Sequence, residues 1–181
     1  MRVISGLYKG RKLVDFKASH IRPTTDRVKE SIFNVLQFHL ESAVVLDLFA
    51  GTGNLGIEAL SRGAKFVTAV EKHKKSCEII YQNLKLLKVD PASYRLVRKD
   101  VISYLKNENL SLYDIILIDP PFTESLSAEV MGILSQKKDI NCRVMIESSS
   151  QEELQVQYGA LHIEKVLNFG DKFVSFFNKR D

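Results

Sequence analysis

Apolar residues change their spacing along this chain in a way that divides it. In residues 1–20 they fall in two short extended runs, RVIS and RKLVDF, separated by a stretch bounded by Gly6 and Gly10. That pattern predicts a hairpin. Pro23 stops the extended chain, and Thr24, Thr25 and Asp26 are residue types that cap a helix start. Val28, Ile32, Val35 and Leu36 then recur at helical spacing to about Leu40. From Ala43 the texture becomes alternating β and α. Seven strands are expected, at 43–50, 66–71, 94–99, 113–119, 142–147, 161–168 and 172–178. Helices are expected near 54–62, 73–87, 101–106 and 124–135. Uniformly apolar strands alternating with helices predict a mostly parallel sheet covered on both faces. The tight turn at Gly170 and Asp171 closes a final hairpin and predicts one antiparallel edge strand. The expected organisation is one compact domain, with residues 1–40 as a hairpin-and-helix extension and 41–181 as the α/β core.

Composition sharpens this picture mainly through charge. The 181 residues carry 26 Lys plus Arg and 22 Asp plus Glu, a formal net charge of +4. Residues 1–30 hold eight of the bases and three of the acids, so the remaining 151 residues are close to neutral. The basic positions Arg2, Lys9, Arg11 and Lys12 therefore form a candidate phosphate-contacting arm. No apolar run approaches the ~20 residues of a membrane span, and the N-terminus lacks the apolar stretch of a secretory signal. Two cysteines, Cys77 and Cys142, exclude a disulfide scaffold, and four scattered histidines show no metal-ligand spacing. A reducing cytoplasm and no metal are the expectations.

In an open α/β sheet, ligands bind beyond the carboxyl ends of the strands. GTGNLG (Gly51 to Gly56) follows the first core strand, and Glu71 closes the second, twenty residues beyond Gly51. That spacing fits a dinucleotide-binding fingerprint, in which the acid holds a ribose diol. Asp47, inside the strand of VLDLFAGTG, points elsewhere. A carboxylate there repels a pyrophosphate and welcomes a cationic amino-acid tail. S-adenosylmethionine has such a tail, carries no phosphate, offers a ribose to Glu71, and presents an adenine amine to Asp100. The plainer roles are loop capping for Asp47, a solvated strand end for Glu71, and a helix N-cap for Asp100.

YDIILIDPPF is the most specific feature. The lone pair of an exocyclic base amine is delocalised into its ring. Asp119 and the carbonyl of Pro120 can accept its two hydrogens, orienting the lone pair and steadying developing positive charge. Pro120 and Pro121 fix the backbone, and Phe122 can stack on a flipped-out base.

VLDLFAGTG, VE, RKD and LIDPPF together resemble the class I S-adenosylmethionine-dependent methyltransferases, with a Rossmann-like sheet. MRVISGLYKGRKL followed by RPTTDRVKESIFNVL closely resembles the RsmD family, guanine-N2 methyltransferases of small-subunit (16S) ribosomal RNA. The resemblance covers essentially the whole chain. It implies that Asp47, Ala50, Gly51 and Gly53 line the methionine end of the cofactor, that Glu71 holds the ribose, and that Asp100 and Val101 take the adenine. It further implies that Asp119, Pro120, Pro121 and Phe122 hold the guanine. Arg22, Thr24, Thr25 and Arg27 of RPTTDR would close over cofactor and substrate. The short connections leave little surface for reading a DNA sequence, so the expected partner is small-subunit rRNA in an assembled or assembling particle. No obligatory protein partner is evident. Competing readings are a methyltransferase for DNA adenine N6 or protein glutamine, a nicotinamide (NAD) oxidoreductase, and a noncatalytic RNA-binding assembly factor.

Overall fold

A computed structural model describes residues 1–14, 25–121, 126–138, 140–152 and 154–179. Arg22, Thr24 and Phe122, all singled out above, lie outside the described residues.

The core is built on one sheet. Its strands are β1 (Val44–Leu48), β2 (Phe66–Glu71), β3 (Tyr94–Arg98), β4 (Ile115–Ile118), β5 (Arg143–Ser149), β6 (Gln157–Tyr158), β7 (Leu161–Asn168) and β8 (Lys172–Lys179). They lie in the order β3-β2-β1-β4-β5-β8-β7-β6. β1 through β5 pair in parallel, and β8 runs antiparallel between β5 and β7. Two expectations are corrected here. The sheet has eight strands rather than seven, because the two-residue β6 adds to β7. The antiparallel β8 is also not an edge strand: the closing hairpin inserts it against β5, where both its neighbours satisfy its backbone.

Alternation along each strand sorts side chains onto two faces. On β4, Ile115 and Leu117 join the cluster containing α1 (Asp26–Leu36) and α2 (Asn54–Ser61), while Ile116 and Ile118 face the opposite cluster. Ile80, Leu84 and Leu87 of α3 (Lys74–Leu87) also pack on the first face. Tyr104 and Leu105 of α4 (Val101–Asn107) and Val130, Met131 and Leu134 of α5 (Leu126–Ser135) cover the second. Among the described residues no helix is long and apolar enough to cross a membrane.

The N-terminal hairpin survives only in part. Arg2 and Lys12 form a single isolated bridge, supported by Val3 N donating to Arg11 O and Leu13 N donating to Met1 O. The reason is competition from α2. Ile4 N and Ser5 N donate to the Glu58 carboxylate at 2.8 and 3.0 Å, Leu7 N donates to Ser61 O, and Tyr8 N donates to Ser61 Oγ. Backbone groups that would have extended the ladder are satisfied by the helix instead. The arm is thereby fixed to the element that opens with the glycine motif. Val3 and Leu13 share one buried cluster with α1 and the sheet.

Candidate functional site

The strand order reverses direction between β1 and β4, so the loops leaving these two strands splay apart and open a crevice. Asp47 lies near the end of β1, Phe49 through Gly53 leave it, and Asp119 to Pro121 leave β4. Leu48 pairs with Ile118 in the ladder, which brings the two segments side by side. Phe49 sits at φ 60°, a left-handed conformation that costs a non-glycine residue about 1–2 kcal/mol. Strain of that kind persists only where the surroundings enforce it, and here it turns the chain from β1 into the glycine loop.

Asp47 is 1% exposed, and its Oδ2 accepts the Gly56 N–H at 2.9 Å. Gly56 carries a steric reason for its identity: a Cβ there would lie 2.8 Å from Asp47 Oδ2 and 2.9 Å from Val67 Cγ1. Gly53, at φ +79°, caps α2 with no room to spare, because a Cβ would lie 3.3 Å from both Ile57 and Ile80. Glu71 is also buried. Its Oε2 accepts Gly51 N–H at 2.9 Å and its Oε1 accepts His73 N–H at 2.7 Å. Each oxygen keeps a second lone pair, so the carboxylate is oriented by backbone while still able to receive a vicinal diol. Asp100, exposed at the end of β3, caps α4 by accepting Ser103 N–H at 3.0 Å, and Val101 beside it is buried.

These contacts discriminate between cofactors. In a dinucleotide site the first amides of the helix face a pyrophosphate. Here Asp47 already occupies the Gly56 amide with a carboxylate, and Glu71 and Asp119 lie close enough to raise its pKa further. A diphosphate is repelled, and a cationic ligand bearing a ribose fits. Among the described residues no group of three or more His, Cys, Asp or Glu is arranged to hold a metal ion.

Burial pushes the pKa of Asp47 from its ordinary 3.8 up to about 7; the Gly56 N–H opposes this, and the charges of Asp119 and Glu71 add to it. A cationic tail requires the ionised form. S-adenosylmethionine affinity is therefore expected to fall by up to tenfold per pH unit below about pH 7. Asp47→Asn should bind weakly and without that slope. In the ligand-free protein the sign is opposite. An acid whose folded pKa is raised stabilises the fold fully below its unfolded pKa, and that contribution disappears as pH rises through about 7. Calorimetric titration of the cofactor and thermal melts from pH 5 to 8 read both effects.

The remaining predicted residues are placed less centrally. Thr25 Oγ1 caps α1 by accepting Val28 N–H at 3.3 Å. Arg27 is exposed on the first turn of α1. Arg2 is tied to Asp26 through a 2.8 Å ion pair, while Lys9, Arg11 and Lys12 are exposed on the arm. Asp119 is half-buried at the rim, Pro120 is buried, and Pro121 is half-buried. Ala50 is buried within the loop, its N–H donating to Val70 O at 3.1 Å.

Several residues that matter were not anticipated. Lys29 Nζ is buried against Glu58 at 3.0 Å and donates to Arg2 O and to Asn54 Oδ1. Asn83 donates to Thr52 O and Val14 O and accepts Val14 N–H. Together they bind both ends of the arm to the cofactor loop. Glu147, two residues before the end of β5, is 1% exposed and paired with Lys172. Burial and then the Asp119 charge push its pKa to about 7, against the pull of Lys172. The signals were there: Lys29 lies on the same helix face as Ile32, Phe33 and Leu36, and Glu147 is one more acid ending an apolar strand, as Asp119 does.

A sheet ordered 3-2-1-4-5, with a glycine loop after β1 and Asp-Pro-Pro after β4, defines a class I methyltransferase. Comparison with known proteins narrows the class. The family model described as conserved hypothetical protein 95 matches residues 1–178. Ribosomal RNA small subunit methyltransferase D of Haemophilus influenzae is 35% identical over 157 residues, covering 85% of this chain and 81% of its own. The Escherichia coli K12 protein of the same name is 36% identical over 153 residues, covering 84% and 76%. The solved structure of the Escherichia coli methyltransferase candidate yhhF superposes with a TM-score of 0.87 at 30% identity, covering 99% of this chain and 98% of the other. The chain belongs to the RsmD family of rRNA methyltransferases, whose methyl donor is S-adenosylmethionine.

Proposed function

We propose that the protein transfers a methyl group from S-adenosylmethionine to the exocyclic N2 amine of a guanine in small-subunit rRNA. The observation that carries this reading is that Asp119 and Pro120 follow β4 beside the loop leaving β1 at the switch point, a position from which two acceptors can meet the hydrogens of an exocyclic amine. S-adenosylmethionine supplies a methyl group on a cationic sulfur. The amine nitrogen would take that methyl as the carbon–sulfur bond breaks, the thioether product would leave with the electron pair, and the proton lost from nitrogen would pass to the Asp119 carboxylate and on to water. Asp119 and the Pro120 carbonyl hold the amine with its lone pair aimed at the methyl carbon, so alignment supplies much of the rate. Asp47, Ala50, Gly51 and Gly53 hold the methionine end, Glu71 the ribose, and Asp100 with Val101 the adenine. Support for rRNA as substrate comes from the names of the relatives and from the basic arm.

The test is methyl transfer to small ribosomal subunits purified from cells lacking the protein, followed by nucleoside mass spectrometry. N2-methylguanosine in the rRNA supports the proposal. Label appearing only in DNA or protein overturns it.

The arm makes a separate prediction. Because Arg2 is engaged with Asp26, the phosphate contacts rest on Lys9, Arg11 and Lys12. Replacing these three with alanine should weaken RNA binding and reduce the slope of log K against log salt by about two to three. Cofactor affinity should be unchanged. Filter binding across salt concentrations measures the slope.

A further inference from the structure

Four charged side chains gather at one rim of the sheet, Asp47, Asp119 and Glu147 toward the carboxyl ends of β1, β4 and β5 and Lys172 at the amino end of the antiparallel β8, and the mechanism above uses only two of them. The ladder pairs Ile118 with Ile146, so Asp119 and Glu147 occupy the next positions on adjacent strands, about 5 Å apart. Ile118 and Ile146 belong to the cluster under α4 and α5, so alternation places Asp119 and Glu147 on the opposite face. Asp47 shares that face, because its neighbours Leu46 and Leu48 both lie in the α4 and α5 cluster. Lys172 shares it too, in step with Val174 and Phe176.

Glu147 is unusual among these acids. Lys172 Nζ donates to its Oε1, and its Oε2 is buried with no hydrogen-bond partner among the described residues. Stability does not explain that arrangement. A buried ion pair of this kind is often no better than packed apolar side chains, and an orphaned carboxylate oxygen adds a further cost. A buried acceptor left open beside the site of chemistry is what a donor on the substrate would complete. Asp119, Pro121 and Ser149 around it are half-buried, so the rim reaches solvent.

We propose that Glu147 is a specificity-determining residue whose Oε2 accepts the N1–H of the target guanine while Asp119 and Pro120 hold the N2 amine. This rests on the guanine-N2 reading above. Guanine presents N1–H and N2–H on one edge, the pair of donors that two carboxylates on adjacent strands match. Above about pH 7, where Glu147 is ionised, a purine whose N1 is an acceptor meets a buried negative charge and is rejected, and burial makes that rejection large, so the discrimination is measured at pH 8. Lys172 fixes Oε1, and so determines which oxygen faces the base.

That last point yields a sharp test. In Glu147→Gln, Lys172 retains the amide oxygen, so the NH2 group takes the place of Oε2 and a donor faces N1. 2-Aminopurine keeps the exocyclic 2-amine but has an unprotonated N1. Small subunits are reconstituted with rRNA carrying guanine or 2-aminopurine at the methylated position, and kcat/KM is measured on each. The wild type should prefer guanine by on the order of 100-fold or more, the discrimination expected from a buried hydrogen bond to the substrate. E147Q should lose on the order of 100-fold on guanine and prefer 2-aminopurine, with S-adenosylmethionine affinity near wild type. If E147Q proves unstable, E147Q/K172M removes the buried charge of Lys172 as well. That variant should show a guanine preference reduced toward unity, because the amide is no longer oriented. A wild-type preference retained by the variant that folds overturns the assignment of Glu147, while N2-methylguanosine formation leaves the functional reading standing. Wild-type protein that forms no N2-methylguanosine overturns that functional reading and this inference with it.

Discussion

Asp119→Ala is expected to reduce methyl transfer by at least 100- to 1000-fold while leaving a folded, cofactor-binding protein. The amine nitrogen loses the acceptor that aligns its lone pair and receives positive charge, and Pro120 alone supplies one fixed carbonyl. The structure adds the second half of the expectation. Asp119 is one of the charges that raise the pKa of both Asp47 and Glu147. Removing it relieves repulsion on these two buried carboxylates and lowers both values. The variant should therefore melt no lower than the wild type at pH 8, where that repulsion is greatest. Transfer of labelled methyl to small subunits, with calorimetry and thermal melts in parallel, separates loss of chemistry from loss of fold. Activity within threefold of wild type would remove Asp119 from the reacting centre.

Glu58→Ala is expected to cost about 3–5 kcal/mol, the usual penalty for breaking a buried ion pair by deleting one partner. Glu58 is fully buried and receives Lys29, the amides of Ile4 and Ser5, and the Arg62 guanidinium. Its removal leaves Lys29 as an uncompensated buried cation and two amides without their acceptor. Against a total stability of ~5–15 kcal/mol this is a severe loss. Lys29→Met should cost less, because Glu58 retains Arg62 and both amides, and the burial that lowers the Lys29 pKa disappears with the charge. Urea unfolding measures both. A loss below about 1 kcal/mol for Glu58→Ala would show that the arm docks without this network.

Much of the molecule was legible before any coordinates. The parallel core follows from apolar runs of strand length bounded by glycine and proline, and the expected strand at 66–71 is the observed β2. That Asp47, Glu71, Asp100 and Asp119 gather at one rim was legible because a doubly wound sheet sends its strand ends there, whatever the packing. The plainer roles considered for two of them hold: Asp47 receives a loop amide, and Asp100 caps α4. In both residues the carboxylate keeps further lone pairs, so the structural role leaves room for the proposed ligand-holding one.

Local patterning failed where partners are distant. The N-terminal runs look like a two-stranded ladder, yet Glu58 and Ser61 of α2, more than fifty residues away, take the amides the ladder needed. The edge position expected for the antiparallel strand failed for a similar reason. A hairpin's sequence specifies that β7 and β8 pair, but β5's open edge decides which of the two inserts.

The sequence by itself therefore determined the alternation of strands and helices, the rim on which acids gather and the chemistry offered there, because these depend on residue type and on spacing within one element. Only the tertiary structure decided that Lys29 is buried against Glu58, that Asn83 joins the arm to the cofactor loop, and that Lys172 leaves one oxygen of Glu147 unsatisfied beside Asp119. Each of these is a desolvated polar contact between elements remote in sequence. Its sign and strength are set by what surrounds it, and no periodicity along the chain encodes that.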